Sequence, residues 1–175
     1  DLADRNFQGR RPETIGRVSV DADVDLAFFD AAGGPEGFVL RADARVRKER
    51  GVSLGFSMNK PTRFDLIFMG LGRGTSHGSF RLEQPLDLWM ITDVTPPRAQ
   101  YGGVSGGPIF DARGEVAGIF IGGGHGRRAR VLATPVETFR DAVAAPSAGR
   151  RFAAFGADVE TAVSDATRRV FCMID

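Results

Sequence analysis

The run Gly103-Val104-Ser105-Gly106-Gly107-Pro108 limits what this chain can fold into more than any other stretch. Two glycines and then a proline oppose a helix directly after the serine. Glycine loses the most backbone entropy on becoming helical, and the residue before a proline is pushed out of the helical region. The chain must instead enter an extended segment, and Ile109-Phe110-Asp111 reads as its first residues. The serine hydroxyl is thereby left in a tight turn that lets another backbone come close.

Short apolar runs divided by turns fill most of the 175 residues. Strands are predicted near 14–20, 24–29, 36–41, 64–69, 86–92, 107–111, 115–121 and 128–133. Gly33-Gly34-Pro35, Asn59-Lys60-Pro61, Pro96-Pro97 and Ala112-Arg113-Gly114 supply turns between them. Helical periodicity comes late, over 136–144 after Pro135 and again over 157–168. The expected class is mainly β, a sandwich or barrel.

Composition removes several functions. At 42% apolar residues the chain can bury a core, and no apolar run approaches the roughly 20 residues of a membrane helix. Twenty-three basic residues oppose 22 acidic ones with no long block of one sign, so neither nucleic acid nor a lipid surface is an expected partner. One cysteine, Cys172, and two histidines, His77 and His125, are too few for a structural zinc site, and no metal or other cofactor is expected. Cys172 reads as a small buried hydrophobe.

Gly103 to Gly107 also matches the G-x-S-x-G elbow of α/β-hydrolases, which requires a helix straight after the serine. Gly106-Gly107-Pro108 blocks that helix. Acyl transfer on a β-barrel fits better, because it needs two backbone N–H groups aimed at one point beside the nucleophile. Gly103 and Ser105 supply them, and glycine two residues before the serine permits the loop.

Joined to Ile109-Phe110-Asp111 and Gly114-Glu115-Val116-Ala117-Gly118-Ile119, the run resembles the nucleophile block of trypsin/chymotrypsin-like serine proteases. The resemblance covers roughly 14–145 and implies a chymotrypsin-like double β-barrel, incomplete in its first barrel, with a C-terminal helix. It divides the chain into the end of a first barrel (1–35), a second barrel with the nucleophile (36–134), a terminal helix (135–146), and a linker, helix and apolar strand (147–175). It implies a catalytic set of Ser105, Gly103 and Asp25. Val24-Asp25-Leu26-Ala27-Phe28 resembles the family's aspartate segment, although Asp21, Asp23 and Asp30 crowd the same place.

The family's histidine precedes its aspartate, and residues 1–24 contain none, so the general base is expected outside these 175 residues. A serine without its base is a weak nucleophile. His77 and His125 both read as loop residues, with His125 a candidate for the rim of the substrate pocket. The resemblance puts Ala99 at the base of that pocket and Phe120, Ile121 and Gly122 along its wall. No charge lines it, which implies cleavage after small or medium apolar residues of a polypeptide.

Val104 stands where trypsin-like zymogens carry their activating aspartate, and Val131-Leu132-Ala133-Thr134-Pro135-Val136 resembles the end of the barrel in bacterial trypsin-like and high-temperature-requirement proteases. A periplasmic or secreted location follows from that branch. Two other readings share the barrel: an inactive pseudoprotease serving as a binding module, and a viral processing protease, against which Phe120 replaces the expected pocket histidine.

Overall fold

Val52, Leu54 and Phe56 alternate with Gly51, Ser53, Gly55 and Ser57, the period-two pattern of a strand whose second face carries almost no side-chain volume. That stretch closes the barrel. The computed structural model describes residues 18–21, 26–29, 37–58, 60–75, 83–100, 102–123 and 128–143. Eight strands lie within them: β1 (Val18–Asp21), β2 (Leu26–Phe29), β3 (Arg50–Ser57), β4 (Lys60–Thr75), β5 (Glu83–Thr95), β6 (Pro108–Asp111), β7 (Val116–Gly123) and β8 (Arg130–Pro135). β1 and β2 pair antiparallel as a two-stranded sheet, and the other six form a closed barrel in the order β3-β4-β5-β8-β7-β6.

β3 was not among the predicted strands, and the predicted strand over 36–41 is not one. Glycines and serines in β3 resemble turn residues locally, but in the barrel they make room. A Cβ on Gly51 would lie 2.7 Å from the Trp89 ring, and one on Gly55 would lie 3.1 Å from Val104. Residues 38–41 instead lie along the start of β7, where a parallel bridge joins Leu40 to Val116. Inside the barrel Phe64, Trp89, Ile91, Ile109, Phe120 and Val131 are fully buried, each contributing about 1.5–3 kcal/mol.

Of the terminal helix expected over 135–146, the described residues reach Val143. Val136–Thr138 and Arg140–Ala142 are single 3-10 turns, because Pro135 ends β8 and the Thr138 hydroxyl bonds back to the Pro135 carbonyl at 2.7 Å. Among the described residues no helix is long and apolar enough to cross a membrane. The helix expected over 157–168 and Cys172 lie outside the described residues.

Residues 38–49 strap the barrel through two buried arginines. Arg41 reaches Glu49 and the fully buried Asp111, and Arg45 lies 2.6 Å from Asp87 and 2.8 Å from Glu137. Burial pushes the Asp87 carboxyl up to about 7; Arg45 pulls it back down and Glu137 adds to the rise.

Candidate functional site

The loop before β6 continues the line of that strand, and in the closed barrel β6 has β7 on one side and β3 on the other. The loop is therefore held from both flanks by backbone. On the β7 side the Gly106 N–H donates to the Phe120 carbonyl and the Phe120 N–H to the Gly107 carbonyl, both at 2.8 Å. On the β3 side the Met58 N–H donates to the Gly102 carbonyl at 3.1 Å. Within the loop the Gly107 N–H closes onto the Val104 carbonyl at 2.9 Å.

Two glycines make this packing possible. Gly103 has φ +89, a conformation L side chains rarely adopt, and a Cβ there would lie 2.5 Å from the Phe56 carbonyl oxygen. A Cβ on Gly107 would lie 2.4 Å from the Leu54 carbonyl oxygen. Val104, between them, is buried at 1% exposure among the core side chains. An apolar plug thus anchors the loop at the position where the resemblance would place an ion-paired aspartate.

Ser105 is exposed at the top of this turn, and its hydroxyl donates to the Ile121 carbonyl at 2.6 Å. Ile121 is the extra residue at the bulge where β7 slips between Phe120 and Gly122, and bulges re-aim the backbone groups of a strand. The N–H groups of Gly103 and Ser105 make no backbone hydrogen bond among the described residues. Two donors beside one hydroxyl form an arrangement suited to binding an anionic oxygen.

The other predicted residues divide. Ile121 and Gly122 are half-buried on β7, Ile121 bonded to Ser105, and Ala99 is half-buried in the turn after β5, its N–H bonded to the Pro96 carbonyl at 3.2 Å. Phe120 precedes them on β7. Its ring is fully buried and stacks on Phe64 at 6.0 Å, because this position of β7 points into the barrel. Its backbone bonds the loop at Gly106 and Gly107. Asp25, His77 and His125 lie outside the described residues.

The hairpin motif after the serine has a structural explanation as well. The buried Asp111 carboxylate accepts the N–H groups of Arg113 at 2.8 Å and Glu115 at 3.0 Å, which fixes the β6–β7 turn. Sequence reasoning placed a turn at Ala112-Arg113-Gly114 but missed the part Asp111 plays in it; an aspartate two and four residues before the amides it caps is a signal for a built turn.

No family model matches the chain, and no curated protein matches it. Solved structures do. The Rv3671c protease from M. tuberculosis in its active form is similar at TM-score 0.64 and 20% identity, over 81% of this chain and 62% of that one. A serine-to-alanine variant of Rv3671c in its inactive form gives 0.60 and 19%, over 76% and 64%. The MamO protease domain from Magnetospirillum magneticum, in its apo form, gives 0.51 and 16%, over 75% and 67%. The chain thus spans less than two thirds of these first two Rv3671c chains. The fold is the trypsin-like, chymotrypsin-type β fold of these proteases.

Proposed function

We propose that this chain is the nucleophile-bearing part of a serine endopeptidase. The observation that carries the reading is the Gly103–Gly107 loop, which presents one exposed hydroxyl with the Gly103 and Ser105 N–H groups uncommitted beside it. Ser105 Oγ attacks the carbonyl carbon of a peptide bond, its proton passes to a histidine base from outside these 175 residues, and the two N–H groups hold the oxyanion. The base then protonates the leaving amine, and water releases the acyl group by the same steps in reverse order. Asp25 is the residue proposed to orient that histidine.

The acyl side of the substrate runs along β7, with its side chain between Ala99, Ile121 and Gly122 and the Phe120 ring filling the core behind them. Ala99, Ile121 and Gly122 carry no charge, so small and medium apolar residues are favoured before the cleaved bond, with His125 proposed at the rim. The substrates are polypeptides, and the proposed location is periplasmic or secreted. The Ser105 hydroxyl must leave the Ile121 carbonyl before it can attack.

Fluorophosphonate labelling of the full-length protein tests the reading. Covalent modification at Ser105, lost in Ser105→Ala, is the expected result. An unlabelled full-length protein that nonetheless binds polypeptide would replace the enzyme with the binding module.

A further inference from the structure

We propose that Met58 is a specificity-determining residue, an apolar contact for the substrate residue just after the cleaved bond. The assignment rests on the protease reading and extends it to the flank of Ser105 opposite β7.

Ser57 of β3 pairs with Lys60 of β4, so Met58 opens the tight connection between the two strands. Its φ is +46, in the left-handed region where hairpin connections favour glycine, asparagine or aspartate. A long side chain at such a position breaks the local rule, and departures of this kind gather at functional sites. The Met58 backbone is bonded directly to the nucleophile loop, through its N–H to the Gly102 carbonyl. Its side chain is 68% exposed. Val46, Leu71 and Leu132 are the other exposed large apolar residues among those described, and none of them is bonded to that loop.

Topology supplies the direction. The nucleophile loop lies between the ends of β7 and β3, so a chain crossing Ser105 with its acyl part along β7 leaves toward the β3–β4 connection. A flexible thioether there accommodates apolar side chains of varied shape.

The test is a peptide library cleaved by the full-length protein, varied only at the residue after the cleaved bond. Leu, Phe and Met are expected to exceed Ser and Asp by about tenfold in kcat/KM, the scale of one modest apolar contact. Met58→Asn suits the left-handed backbone but lacks the apolar surface, and it reduces that discrimination to about twofold. Met58→Leu restores it. Preference before the cleaved bond stays the same in all three proteins. A wild-type profile that is flat after the bond, or one that Met58→Asn leaves intact in an enzyme labelled at Ser105, overturns the assignment alone. Absence of both labelling and cleavage overturns the protease reading and this assignment with it.

Discussion

At the Pro108 end of β6 the chain is tied down by backbone hydrogen bonds and one apolar side chain: Gly106, Gly107 and Phe120 exchange hydrogen bonds, and Val104 plugs the core beneath. At the Asp111 end, three residues on, one buried carboxylate gathers the Arg113 and Glu115 N–H groups and the Arg41 guanidinium, the last at 3.2 Å. The first end leaves two amide donors without a backbone partner among the described residues. At the second, one carboxylate is shared among three partners. A site that must hold a developing oxyanion gains from preorganised amides and loses if a nearby charge competes for them, whereas a turn that only has to stay put can use ion pairs.

The comparison is broken most severely at its charged end. Asp111→Ala leaves Arg41 buried beside Glu49 alone and strips two turn amides of their acceptor, and loss of one partner of a buried pair costs about 3–5 kcal/mol. Chemical denaturation is expected to show that loss. A cost below about 1 kcal/mol would mean that the strap, not the carboxylate, holds this end.

Next in size is a pH effect at the second strap arginine. Asp87 has its carboxyl raised from 3.8 to about 7 in the folded protein, so the folded state binds the proton more tightly than the unfolded chain. Its contribution is complete below about pH 4, shrinks as pH rises from there, and is gone once pH passes about 7. Melting temperature is therefore expected to fall by several degrees between pH 5 and pH 8. Asp87→Asn flattens that slope, and an equal slope in the variant would assign the effect to other groups.

Gly107→Ala sharpens the comparison at the other end. Its Cβ meets two backbone carbonyls, those of Leu54 at 2.4 Å and Val104 at 2.9 Å, which cannot rotate away as a side chain would. A cost of about 1–3 kcal/mol is expected, with fluorophosphonate labelling at Ser105 falling more than stability does. Unchanged labelling would show that the loop's position is not what exposes the serine.

The smallest effect belongs to the exposed rim of the charged end. Arg113 and Asp43 are paired at 2.8 Å with side chains 47% and 69% exposed, so Asp43→Ala is expected to cost less than about 0.5 kcal/mol. Thermal denataturation in low and high salt would check it: a larger loss that vanishes with salt would bring this pair into the anchoring network.

Local chemistry determined much of this protein in advance. Gly106-Gly107-Pro108 excluded a helix after Ser105, the Ala112-Arg113-Gly114 turn set the β6–β7 hairpin, and the apolar runs of β4, β5, β7 and β8 declared a mainly β fold, because turn and strand preferences act over a few residues. Three matters were decided only in three dimensions. β3 became a strand because Trp89 and Val104, far along the chain, fill the space its glycines leave. Phe120 is held in the core because β7 aims its ring at Phe64. Arg41 became an anchor because folding brought it to a carboxylate 70 residues away. Each depends on which surfaces the closed barrel presses together, and no local preference encodes that.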